Sequence, residues 1–203
     1  MLATAAMDTL ECMTSATRSN DLPDAPDWRG INHLALVTPD MDATVRFYHG
    51  ILGARLVATV GTAAFRHYFF EVGSQCTVAF FEYADAIVEP LIKPAGVPSA
   101  RAPQFDDLSL NLPDEQALRD LRHRLLAADY EVTDVIDHGV VRSIYFTDPD
   151  GIALKASWWV LDPTSHPTDY DDQRLFTDPD PVPAVRELQD AVVSTAVPST
   201  RPA

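Results

Sequence analysis

The feature that most constrains this 203-residue chain is an internal repeat. Ile31-Asn32-His33-Leu34-Ala35-Leu36-Val37-Thr38-Pro39-Asp40 is echoed 74 positions later by Phe105-Asp106-Asp107-Leu108-Ser109-Leu110-Asn111-Leu112-Pro113-Asp114. Each copy is a short apolar-rich strand closed by Pro-Asp. An Asp at that place can accept hydrogen bonds from first-turn amides and so start a helix. Helical spacing follows in both copies: Met41, Thr44, Val45 and Tyr48, ending near Gly50 and Gly53, then Leu118, Leu121 and Leu125. A second match, 76 positions apart, pairs Tyr68–Gly73 and Thr77–Phe81 with Ile144–Gly151 and Ala153–Ser157. Both read as hairpins joined by a Gly-containing turn. With Arg55–Val60 and Tyr130–Ile136 as further strands, each half is β-α-β-β-β. Two such halves are expected to curl into one sheet around a shared cleft.

The repeat occupies 29–160, as modules 29–83 and 105–160 joined by a Pro-containing linker at 84–104. The flanks differ in composition. The net charge of −15 divides as −4 over 1–28, −6 over 29–160 and −5 over 161–203, and nine of the sixteen prolines lie in the two flanks. We read 1–28 as a flexible N-terminal extension and 161–203 as a Pro-rich acidic C-terminal one. Within the latter, Val185, Leu188 and Val192 point to a short helix over Val182–Val193, and Asp162–Tyr170 is a candidate lid over the cleft mouth. So acidic a chain is a poor partner for nucleic acid or for an anionic membrane surface. Two cysteines, Cys12 and Cys76, make no disulfide framework and no Cys-x-x-Cys is present. No apolar run reaches membrane-spanning length, and the N-terminus lacks a basic start followed by an apolar stretch, so the expected location is cytoplasmic.

A paired βαβββ repeat with a His in its first strand resembles the vicinal oxygen chelate superfamily, which includes glyoxalase I, extradiol dioxygenases, fosfomycin-resistance enzymes and bleomycin-binding proteins. The resemblance covers 29–160. Its best-matched stretch runs from Ile136-Asp137-His138 through Ile144-Tyr145-Phe146-Thr147-Asp148-Pro149-Asp150-Gly151 to Lys155. That spacing is similar to the extradiol signature His…Tyr-x-x-Asp-Pro-x-Gly…Glu, with Lys155 in place of the iron-binding Glu. The resemblance implies an α+β fold, one glyoxalase-like domain with terminal extensions, a small-molecule ligand and a homodimer. It also implies a metal site at equivalent positions of the two halves, here His33, Ala79, Asp107 and Lys155. An ammonium offers a divalent cation no lone pair, so two His and one carboxylate cannot be assembled from these positions. If a metal such as Fe(II) is bound, His33 and Asp107 are its candidate ligands. Glu82 alternates onto the opposite sheet face from Ala79, Glu71 sits in the preceding strand near its turn, and His67 could approach the cleft, though the sequence does not fix its place.

The expected site is therefore a rewired one. His33, Asp107 and Lys155 are expected in one cleft, with Lys155 supplying positive charge to an enolate or phenolate and His33 acting as general base. Tyr145 and His138 are additional acids or donors, and a desolvated Lys155 would also permit Schiff-base chemistry. Phe69, Phe81 and Tyr83 are candidate substrate-binding residues. Each has a plainer alternative. His33 suits a core histidine, Asp107 and Lys155 a buried ion pair, His138 a loop brace, and the aromatics core packing. Asp148-Pro149-Asp150-Gly151 is read as a turn and not a calcium loop. Trp158 and Trp159 are read as packing residues, and His49, His123 and His166 as surface positions. The expected function is action on an aromatic or enolisable small molecule through a rewired, metal-independent site. The alternatives are a non-catalytic binder of the bleomycin-resistance kind and a dioxygenase with an atypical metal site.

Overall fold

The computed structural model describes residues 30–90, 105–164 and 166–190. The chain divides into a unit of Trp28–Asp180 and a second unit that contains the last helix. In the first, β1 (His33–Val37) leads into α1 (Met41–Val45), which runs on as a π-helical turn over Arg46–Ile51. Strands β2 (Arg55–Gly61), β3 (Phe65–Gly73) and β4 (Cys76–Tyr83) complete the first module. The second repeats the plan with β5 (Leu108–Asn111), α2 (Glu115–Ala127), β6 (Ile136–Asp137), β7 (Val141–Thr147) and β8 (Ala153–Trp159).

Both helices start where the Pro-Asp pairs predict. The Asp40 carboxylate accepts from the Ala43 N–H at 3.0 Å and that of Asp114 from Ala117 at 2.8 Å. The sheet arrangement differs from the expectation of one continuous sheet: there are two four-stranded sheets, ordered β1-β4-β3-β2 and β5-β8-β7-β6. In each, a parallel pair (β1 with β4, β5 with β8) sits beside antiparallel hairpin partners. The strand expected over Tyr130–Ile136 is reduced to one bridge, Val132 to Phe146, before the two-residue β6. The Thr133 N–H still donates to the Tyr145 carbonyl at 3.0 Å, but side chains take up the neighbouring groups. The Tyr145 N–H donates to the Thr133 hydroxyl at 3.0 Å, and the Thr133 carbonyl accepts from Arg122 at 2.9 Å.

Directly paired residues share a sheet face, so register sorts the side chains. In the first sheet Phe70, Val78 and Phe80 lie on one face, fully buried under Phe47 and Tyr48 of the π-helical turn. In the second, Ile144, Phe146, Leu154 and Ala156 are buried beneath Leu118 and Leu125 of α2. Burying each large side chain contributes about 1.5–3 kcal/mol. The two helix-covered faces share one core. The Phe47 ring lies 4.8 Å from that of Tyr130, and the Tyr48 hydroxyl donates to Asp148 at 3.2 Å. Arg124 donates to the carbonyls of Ile51 and, at 2.8 Å, Gly50 at the end of the π-helical turn. The other face of each sheet carries no helix of its own module.

Asp148–Gly151 is a turn, as read. Asp148 Oδ1 accepts from the amides of Asp150 and Ile152, and Gly151 takes φ +83°, a conformation its missing Cβ permits. In the second unit a helix, α3, spans Pro183–Gln189 within the expected Val182–Val193, with Pro at its first turn and no fully buried residue. Its expected last residues, 191–193, the N-terminal extension 1–28 and most of the linker lie outside the described residues. Of the candidate lid, 162–164 and 166–170 are described and form no regular element.

Candidate functional site

The chemistry-bearing residues gather on the helix-free faces, in two groups. The first lies on β1, β3 and β4. His33 pairs with Thr77, His67 with Phe81 and Phe69 with Ala79, so all project from one side. His67 stacks on Phe81 with ring centroids 3.6 Å apart and 12° between planes. Phe69 is 4.2 Å from His67, and the His33 ring lies 6.3 Å from His67 and 5.7 Å from Phe69. Phe81 in turn stacks on Tyr83. His33 is exposed and its Nδ1 is bonded to Asn32 Oδ1 at 2.7 Å, so it is not a core histidine. His67 Nε2 is shielded from solvent and has no hydrogen-bond partner. Burial, and then the charge of His33, lower the His67 basicity below the ordinary histidine value, which leaves a neutral ring at pH 7.

The second group lies on the corresponding face of the second sheet. Tyr145 is paired with Lys155, whose Nζ sits 5.3 Å from the Tyr145 ring centroid. The Tyr145 hydroxyl is bonded to His138 Nε2 at 2.9 Å. Ser109, the β5 partner of Lys155, bonds Ser157 at 2.8 Å, and Ser157 bonds the buried Ser143 at 3.0 Å.

The sequence thus names members of both groups, but the fold does not join them within one chain. Among the described residues no hydrogen bond, ion pair or ring contact links His33 to Asp107 or Lys155. The ion pair considered for Asp107 and Lys155 is not formed. Asp107 is half-buried just before β5, and Lys155 takes the tyrosine face instead. Phe69 and Phe81 belong to the first group and Tyr83, 44% exposed, to its rim. Glu82 is on the opposite face, as alternation requires, where it pairs with Arg66 and accepts from the Met41 N–H. Glu71 is tied to Arg55. His67 is the residue that sequence reasoning left unplaced. Its alternation with Phe65 and Phe69 was the available signal. Two grooves between the modules, of about 620 Å³ beside β1, Phe105 and Ile152 and about 510 Å³ beside Leu52, Val72 and Leu121, include none of the proposed site residues.

The metal implied by the family resemblance does not fit these residues. Its four positions present an imidazole, the methyl group of fully buried Ala79, one carboxylate and an ammonium. Among the described residues no three His, Cys, Asp or Glu side chains are grouped to hold an ion. A divalent cation beside Lys155 would also meet like charge.

A sequence profile of the Glyoxalase/Bleomycin resistance protein/Dioxygenase superfamily matches residues 30–155. The chain belongs to this superfamily. No curated protein matches it in sequence. Among solved structures, the glyoxylase/bleomycin resistance protein/dioxygenase domain from Frankia sp. EAN1pec is 20% identical, with a TM-score of 0.56 over 65% of this chain and 98% of that one. An antibiotic binding protein from Streptomyces sp. CB03234 is 15% identical, with a TM-score of 0.51 over 66% of this chain and 99% of that one. Likenesses this distant establish the superfamily's fold. No helix among the described residues is long and apolar enough to cross a membrane.

Proposed function

We propose that this superfamily member acts on an aromatic or enolisable small molecule by proton transfer from its own side chains, without a metal. The observation that carries the reading is the first group: a neutral His67 with an unpartnered Nε2, stacked on Phe81 and set beside His33. A stacked aromatic face binds a planar ligand, and a neutral imidazole set beside an exposed one supports proton transfer from it. Exposed His33 is the general base and His67 orients or relays the proton. The positive charge for the resulting enolate or phenolate comes from Lys155, with Tyr145 and His138 as donors. A homodimer brings the two faces to one ligand, the Lys155 face of one copy meeting the His33 face of the other. This assembly is supported by Val37, Val60 and Tyr83, which leave 40%, 50% and 44% of their surface exposed on that side.

The test is exchange of the α-protons of phenylpyruvate in D₂O with EDTA present, followed by proton NMR. The protein should accelerate exchange, and His33→Ala should slow it by about 10²-fold, the usual worth of a general base. The rate should fall on acidification, because only neutral imidazole accepts a proton. Loss of exchange in EDTA, with recovery on adding a divalent metal, would overturn the metal-free reading. Binding without exchange favours the second reading, a non-catalytic binder, to which the fold of the Streptomyces antibiotic binding protein lends support.

A further inference from the structure

The described cations of this acidic chain are almost all engaged. Arg46, Arg55, Arg66, Arg119, Arg122, Arg142 and Arg174 pair with carboxylates, and Arg124 with main-chain carbonyls. Among the described residues half-buried Lys155 meets no oxygen, and its one polar contact there is the face of Tyr145. An ammonium has three N–H donors, and a partly desolvated one favours an acceptor that carries charge.

A chain of serine hydroxyls ends at the strand position paired with it. Ser143, Ser157 and Ser109 form a chain of two hydrogen bonds among three hydroxyls, so one hydroxyl hydrogen is left over. Ser143 is fully buried with Ser157 as its single side-chain partner, and its hydrogen has no other acceptor there. The chain therefore runs Ser143 to Ser157 to Ser109. The spare O–H belongs to Ser109, the exposed end, directly paired with Lys155 across β5 and β8. A single cation beside a donating hydroxyl balances a monoanion better than a dianion.

We propose that Lys155 and Ser109, backed by Ser157 and Ser143, form a carboxylate-binding subsite, so that the small molecule of the proposed function is a carboxylic acid. The inference rests on that reading: in a 2-oxo acid the carboxylate and the enolate oxygen are vicinal, so one ammonium meets both. It can be tested separately because the chain has just two lysines, Lys93 and Lys155. Full-length protein labelled with [¹³Cε]lysine gives two signals, assigned by their loss in Lys155→Arg. Benzoate should move the Lys155 signal saturably and leave Lys93 unmoved, while neutral benzamide moves neither. Ser109→Ala should weaken benzoate about tenfold or more, the worth of one hydrogen bond to a charged group. A Lys155 signal that responds to benzoate no more than Lys93 does, or to benzamide equally, overturns the subsite. So does saturation by inorganic phosphate in preference to benzoate. Phenylpyruvate exchange that persists while Lys155 ignores benzoate removes the subsite and leaves the proton-transfer reading. A Lys155 response without any exchange does the reverse.

Discussion

Asp148 shows how one side chain can link stability to pH. It is 4% exposed at the head of the β7–β8 turn, where its carboxyl accepts from two turn amides and from the Tyr48 hydroxyl of the other module. Desolvation outweighs those hydrogen bonds and raises its pKa to about 6. The folded protein therefore holds this proton more tightly than the unfolded chain does. The stability this confers is fully present below the unfolded value near 3.8, and it is lost as pH rises through about 6. The loss is about 3 kcal/mol at most, at about 1.4 kcal/mol per unit. Asp148→Asn keeps an oxygen for the amides and offers Tyr48 a donor. The difference in urea stability between wild type and Asp148→Asn should thus shift in favour of the variant between pH 4.5 and 7.5, mostly below pH 6, and level off above it. An unchanging difference would mean that the carboxylate stays charged. That Asp148 lies in a turn is evident from Asp-Pro-Asp-Gly. Its proton affinity is not, because the burial that raises it comes from tertiary packing, which brings up residues as distant as Tyr48, a hundred positions away.

At the scale of elements, local signals carry far. The Pro-Asp pairs mark both helix starts because an N-cap needs only the next three residues. Asp114→Ala should cost about 1 kcal/mol, the typical worth of such a cap, read as a lowered urea midpoint with unchanged slope. Alternation sorts Glu82 from Ala79 and Phe81 for the same reason: it is a property of one strand. The β6 region escapes this logic. Tyr130–Ile136 has the apolar residues of a strand, but Thr133 and Arg122 satisfy backbone groups that a ladder would otherwise use. The groups that Thr133 meets, Tyr145 of β7 and Arg122 of α2, lie beyond the reach of a local pattern.

For the whole molecule the decisive fact is that the two modules share one core. Phe47 is fully buried, touching Tyr48 and, across the module boundary, Tyr130. Phe47→Ala should destabilise by about 3–5 kcal/mol. It should lower the thermal transition of both modules together, as one cooperative step seen alike by far-ultraviolet dichroism and by fluorescence of Trp158 and Trp159 in β8. Two separated transitions would show that the halves unfold independently. The charge of −15 matters little to this core, since −9 of it lies in the flanks.

What the sequence by itself determined is the repeat, the superfamily, the helix starts and the replacement of a family carboxylate by Lys155. All of these are written in spacing or in residue type. The tertiary structure alone decided which side chains meet. It set His67 beside His33, 34 positions away, because β4 lies between β1 and β3 in one register. It left Lys155 over Tyr145 and apart from His33 because the modules pack through their helix-covered faces. Register and module packing depend on contacts made far along the chain, and a periodicity read along a single strand contains neither.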